Sequence, residues 1–180
     1  GLEQISRKPD EKNVVLFLGS NIGNFTGKKA CKFLNELSKN LQSGDLVLIG
    51  MDLKKDPEII LDAYNDATGI TRAFNLNLLD RINTELGASF DTDQFTHYPT
   101  YDPISGETRS YLISQKEQSV NIEMLNKVVH FERYEPIQME LSQKYDMGMI
   151  ENMAANSGFS IKQNYFDCRH WYVDTLWEKD

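Results

Sequence analysis

The sequence predicts an α/β fold interrupted by a block of antiparallel character, and three observations lead there. The stretch VVLFLGSNIGNF, Val14 to Phe25, opens as an apolar run suited to a buried strand and ends abruptly in a small polar turn. A helical stripe and a second apolar run, LVLIG, follow it closely. Within a block of about residues 54 to 143 the texture then changes, and from Phe95 to Phe131 it becomes antiparallel strands broken by Pro, Ser and Gly.

In chain order, Thr26 is placed to cap a helix whose apolar positions are Ala30, Phe33, Leu34, Leu37 and Leu41. Ser43-Gly44-Asp45 stops it before the strand Leu46 to Gly50. Strand, helix, strand at this spacing is a parallel βαβ unit with a right-handed crossover. Asp56 and Pro57 then start a helix predicted to reach Gly69 and to carry Tyr64. A further helix, opened by Thr71, uses Phe74, Leu78, Ile82 and Leu86 and stops at Gly87. FTHYPTYD and TRSYLISQ flank a turn at Pro103, Ser105 and Gly106, and SVNI and KVVHF follow. Pro99 assigns the first of these strands to a sheet edge or to irregular structure. Asp146 caps a last helix bearing Met149, Ile150, Met153 and Ala154, ended by Gly158, and FSIKQNYF and WYVDTLW form a closing pair of strands.

Composition narrows the function classes. A 180-residue chain with 40% apolar residues suits one domain or a domain with an insertion. The net charge of −8 argues against a general nucleic-acid or anionic-membrane binder. No apolar run reaches the ~20 residues of a bilayer span, and GLEQISRKPDEKN at the amino terminus lacks a signal-peptide core. Cys31 and Cys168 have no metal-type spacing, so a reducing cytoplasm is the expected location. His97, His130 and His170 lie far apart and read as structural, and no metal site is expected.

Two segments can carry chemistry. GSNIGN is a strand-end loop that lets backbone approach a ligand closely, yet it lacks the third glycine of G-x-G-x-x-G and the Gly-Lys-Ser/Thr of a P-loop. It is equally a plain βα turn. In Met139-Glu140-Leu141-Ser142-Gln143-Lys144-Tyr145, an extended backbone puts Glu140 and Ser142 on one face, about 7 Å apart. Such a pair could bind two nitrogens of a planar heterocycle, or could be a solvated polar face.

The combination of FLGSNIGNF, then GDLVLIGMDLKKDPEIILDAYNDATGITRAFNLNLLDRINTELGASFD, then MELSQKY resembles the histidine-specific S-adenosylmethionine-dependent methyltransferase family. The L-histidine Nα-methyltransferases of ergothioneine biosynthesis are its best-known members. The resemblance runs in register from about Val14 to Lys144 and more loosely to Trp177. It implies a partial Rossmann-like class I methyltransferase core, residues 1–53 and 144–180, with an inserted α+β substrate-binding subdomain, residues 54–143. It also implies that Asn24 and Tyr64 hold the amino-acid end of L-histidine while Glu140 and Ser142 hold its imidazole. Gly19 and Ser20 would lie near S-adenosyl-L-methionine, the methyl donor.

Family members carry a longer N-terminal half with the first three strands, the glycine-rich donor loop and the acidic residue for the ribose. FLGSNIGN resembles the fourth strand, so the expectation is a C-terminal portion, inactive alone, that self-associates through its exposed sheet edge. Ser110 stands where the family often has a larger apolar pocket residue, which would leave a roomier site. Two alternatives remain: a family methyltransferase for another amino acid or small amine, and a non-catalytic small-molecule-binding module.

Overall fold

In the computed structural model, which describes residues 12–180, β1 (Val14–Phe17) and β2 (Leu46–Asp52) run parallel, paired from Val14–Leu46 to Phe17–Ile49. Helix α1 (Gly27–Lys39) connects them, which is the βαβ unit read from the sequence. The amino-terminal stretch, in which no signal-peptide core is expected, lies through residue 11 outside the described residues.

The chain divides into two compact units. The first comprises the described residues up to Lys55 together with Pro103–Glu107 and Leu141–Asp180. The second comprises Asp56–Asp102 and Thr108–Glu140.

In the first unit, β9 (Tyr172–Lys179) lies antiparallel between β2 and β8 (Phe159–Phe166), giving a mixed sheet of order β1-β2-β9-β8. Its core takes Leu34 and Leu37 from α1, Val47 and Ile49 from β2, and Ile150 from α4 (Met147–Asn156). Trp177 sits fully buried among them, its indole Nε1–H donating to Thr175 Oγ1 at 2.8 Å. Full burial of one such aliphatic side chain stabilises by roughly 1.5–3 kcal/mol, so the α1 stripe is enough to seat that helix. The stripe outlasts the helix: Leu41 is buried but lies beyond Lys39. Asp146 caps α4 as expected, accepting from Met149 N at 2.9 Å. Among the described residues β1 is an end strand of the sheet, and its Val14 and Leu16 are exposed.

Gly50 is a point of close approach. A Cβ there would lie 2.0 Å from Tyr172 Oη. Glycine therefore admits a phenol that accepts from Ser20 N at 3.2 Å, fixing the loop after β1.

The second unit begins with α2 (Pro57–Tyr64), whose Asp56 cap accepts from Glu58 N at 2.9 Å. This helix ends at Tyr64 rather than at Gly69. The reason is Asp66, which accepts from Ile70 N and Thr71 N at 2.9 and 2.8 Å and so breaks the backbone into a new helix start. The Thr68 hydroxyl first, and then these bonds, hold its carboxyl well below the usual range. Helix α3 (Ile70–Leu86) thus opens under Asp66, not Thr71, and closes at Gly87 with φ 63°. Its buried residues are Asn75 and Leu79, whereas Phe74 and Leu78 of the expected stripe are 73% and 43% exposed. A polar residue occupies the inner face, which turned the reading by one position.

Antiparallel β3 (Phe95–Tyr101) and β4 (Glu107–Ser114), with β7 (Pro136–Gln143), form a sheet of order β3-β4-β7. Pro99 lies in β3, an edge strand of this sheet among the described residues, where a residue without an N–H is tolerated. Leu141–Gln143 of β7 count with the first unit. Strands β5 (Gln118–Ile122) and β6 (Lys127–Phe131) form a separate hairpin. Leu79, Phe95, Leu112, Val120 and Phe131 make the core, with Phe95 and Phe131 edge to face at 5.6 Å.

Gly50→Ala is expected to destabilise the chain by about 3 kcal/mol or more through overpacking against Tyr172. Because Tyr172→Phe removes the clashing oxygen, the double variant should lose less than the two single losses added together. Denaturant titration of all four proteins checks this; strict additivity would contradict the packing account.

Candidate functional site

In the first unit the carboxyl ends of β1 and β2 meet at a polar junction centred on Asp52. The loop after β1 turns through two left-handed residues, Gly19 (φ 77°) and Ser20 (φ 56°), into a short 3-10 turn at Asn21–Asn24. Asp52 N donates to Ser20 Oγ at 3.1 Å, and Asp52 O accepts from Tyr145 N at 2.9 Å. Its carboxylate holds two lysines: Lys55 Nζ is 2.6 Å from Oδ1, and Lys144 Nζ is 2.8 Å from Oδ2. Lys144, with its side chain only 4% exposed, also donates to Ser142 Oγ at 2.9 Å.

Ser142 is therefore an acceptor toward the buried ammonium. Ser20 is engaged twice, through its N–H to Tyr172 Oη and its Oγ from Asp52 N. Burial first, and then the Asp174 carboxylate, push the Tyr172 phenol above its ordinary value, so it stays protonated. Gly19 has an open side: the nearest atom to a built Cβ is the Asn21 side-chain nitrogen at 3.6 Å. Asn24 is exposed at the end of the 3-10 turn. The turn is packed tightly, since a Cβ on Gly23 would lie 2.9 Å from Gln143 O.

In the second unit Tyr64 is the half-buried last residue of α2. Glu140, also half-buried, lines a cavity of about 360 Å³ with Phe74, Asn75, Asn77, Leu78, Arg81 and Met139. That cavity explains the exposure of Phe74 and Leu78: they are its apolar wall rather than core. Behind them Asn75 Nδ2 donates to Thr71 O at 2.9 Å and lies 3.4 Å from His97 Nε2. Burial first, and then the Arg72 guanidinium, lower the His97 value, with Asp66 opposing. A neutral imidazole with Nε2 as acceptor suits the amide donor.

Ser110 is fully buried on β4 opposite Pro99, and its hydroxyl has no hydrogen-bond partner among the described residues. It is not among the residues lining the Glu140 cavity. The residues the sequence reading missed are Asp52, Lys55, Lys144 and Tyr172. A signal existed for one of them: Glu140, Ser142 and Lys144 follow the same two-residue alternation. Nothing local marks Asp52 as their counter-charge.

A family profile described as "Histidine-specific methyltransferase, SAM-dependent" matches residues 1–179. The chain belongs to the histidine-specific, SAM-dependent methyltransferase family. It is 36% identical over 163 residues to a histidine N-alpha-methyltransferase of Mycolicibacterium smegmatis, covering 91% of this chain and 49% of that protein. Over 134 residues it is 36% identical to a histidine N-alpha-methyltransferase of Mycobacterium tuberculosis, covering 74% of this chain and 42% of that one. A more distant relative is an L-tryptophan methyltransferase of Psilocybe serbica, 26% identical over 171 residues, 94% of this chain and 48% of that one. The chain spans about half the length of these curated relatives.

The fit of this part of the family's fold to S-adenosylmethionine is partial. Gly19 leaves one side open and the Ser20 hydroxyl, accepting from Asp52 N, keeps its own proton to donate, but both carboxylate oxygens of Asp52 hold lysines. These residues alone do not form a nucleoside-binding donor set.

The His97 environment gives a pH dependence of stability. Its folded value lies below the ordinary 6.5, so above that pH both folded and unfolded states are neutral and stability is unaffected. As pH falls below it, the unfolded chain takes up the proton first and the fold loses stability. Thermal unfolding followed by circular dichroism should show a larger drop from pH 7.5 to 5.5 for the wild type than for His97→Gln. Equal drops would exclude the buried imidazole as a source.

Proposed function

We propose that this chain is the substrate-binding, C-terminal part of a SAM-dependent Nα-methyltransferase acting on L-histidine. The observation that carries the reading is the 36% identity to a histidine N-alpha-methyltransferase over 91% of the chain. The site chemistry supports it. Neutral imidazole presents one N–H and one bare nitrogen, and therefore needs one acceptor and one donor. Glu140 is the acceptor for the N–H. Ser142, already accepting from Lys144, keeps its own hydroxyl proton to give to the bare nitrogen. Asn24 and Tyr64 take the amino-acid end, orienting the α-amine for methylation. In this reading residues 54–143 are the substrate-binding part and residues 1–53 and 144–180 belong to the methyltransferase core. Anchoring both ends of a small substrate fixes the reacting amine, and orientation of this kind is worth on the order of several kcal/mol.

A second reading, another aromatic amino acid as substrate, has a specific observation behind it: the relative from Psilocybe serbica is named an L-tryptophan methyltransferase. Indole has a ring N–H for Glu140 but no bare nitrogen for Ser142. Steady-state kinetics of the protein carrying this chain and its donor-binding half should therefore favour histidine over tryptophan by about a hundredfold or more in kcat/KM. Glu140→Ala should raise KM for histidine at least about tenfold while leaving donor affinity unchanged. Equal losses in both, or a preference for tryptophan, would overturn the assignment.

We also propose that the isolated 180-residue chain self-associates through the edge of β1, where Val14 and Leu16 are exposed beside backbone that β2 does not pair. Light scattering should find a dimer or larger species that Leu16→Lys weakens. A monomer over the micromolar range would contradict it.

A further inference from the structure

We propose that Lys144 is a positioning residue for substrate selectivity: it fixes the direction of the Ser142 hydroxyl proton and thereby makes the site specific for a ring with a bare acceptor nitrogen. The inference rests on the functional reading above and goes beyond it, because it assigns selectivity to a residue that would not touch the substrate. A serine hydroxyl is ambivalent, with one proton to give and lone pairs to receive. Left alone, it could accept from a ring N–H or donate to a ring nitrogen, and would accept indole about as readily as imidazole. An ammonium biases that choice: it can only donate, so it occupies one of the oxygen's two lone pairs, and its charge disfavours a second donor at the same oxygen. With Lys144 Nζ at 2.9 Å from Ser142 Oγ, that oxygen receives, and its proton must point elsewhere.

The ammonium is itself constrained. Its side chain is 4% exposed, and Asp52 Oδ2 lies 2.8 Å away. That carboxylate is the counter-charge that fixes where the Lys144 Nζ lies. Asp52 is held in turn by its own N–H on Ser20 Oγ, by Tyr145 N on its carbonyl, and by Lys55 on its other carboxylate oxygen. The backbone of Lys144 is fixed as well: its N donates to Gly106 O at 2.8 Å, and a Cβ on Gly106 would lie 2.4 Å from Lys144 O. The order of dependence is thus Asp52, Lys144, Ser142, and then the ligand.

The test is a double-mutant cycle of Lys144→Met and Ser142→Ala in the protein carrying both halves, reading KM and kcat for histidine, KM for the donor, and the selectivity for histidine over an alanine bearing a pyrrole ring, which lacks the bare nitrogen. Wild type should reject the pyrrole analogue by about a hundredfold or more. Lys144→Met should raise KM for histidine at least about tenfold, move kcat and donor KM little, and relax the selectivity. In the Ser142→Ala background the Lys144 substitution should have no further effect on either quantity. An effect that persists there, or that falls equally on donor and histidine, overturns the proposal and makes Lys144 merely structural. If Lys144→Met does not fold, the Asp52→Asn/Lys144→Met pair removes both charges and carries the same comparison. Wild-type selectivity supplies a check without any substitution, because acceptance of the pyrrole analogue also overturns the proposal. Failure of wild type to methylate histidine at all would instead bring down the functional reading, and is thereby distinguished.

Discussion

The first unit is organised around one aspartate. Asp52 ends β2, and four of its polar groups are committed: the N–H to Ser20, the carbonyl to Tyr145, and the two carboxylate oxygens to Lys55 and Lys144. It ties the loop after β1 to the segment after β7, which are far apart in sequence. A buried ion pair of this sort is a poor source of net stability, because desolvation cancels much of the attraction. What it provides is uniqueness. Displacing either lysine would leave a charge without its partner, so the junction tolerates one arrangement and resists its neighbours.

Much of this architecture was legible because it rests on local rules. The βαβ unit follows from two apolar runs and a stripe at helical spacing, and both Asp56 and Asp146 cap helices where the sequence puts them. Pro99 announces an edge strand. Local rules failed where a distant partner changes what a residue is for. Asn75 reads as a surface residue on α3 but is buried against His97, and that turned the predicted apolar face of the helix by one position. Asp66 reads as part of a continuing helix, yet its carboxylate starts the next one. For the candidate site, Glu140 and Ser142 were visible as a two-residue alternation. Lys144 continues the same alternation, but its meaning depends on Asp52, some ninety residues earlier.

The second unit shows how a polar interior is made tolerable, and where it is not. Asn75 Nδ2 is shared between Thr71 O and His97 Nε2 away from solvent. Thr108 and Ser110, on the inward face of β4, leave their hydroxyls without partners among the described residues. A buried unsatisfied hydroxyl costs about 1–3 kcal/mol, so this strand is built for something other than maximal stability.

The chain's two tryptophans, Trp171 and Trp177, both belong to the first unit. Trp177 is sealed in that unit's core, while Trp171 is half-buried beneath Lys55 and Arg169. Indole emission from this polypeptide is therefore a private signal of one half of it. The buried ring reports whether the sheet is intact, and the outer ring senses the cations at the Asp52 junction. Events confined to residues 56–102 and 108–140 leave that emission unchanged unless they reach the first unit, so light from these two rings separates local events in the two units without any added label.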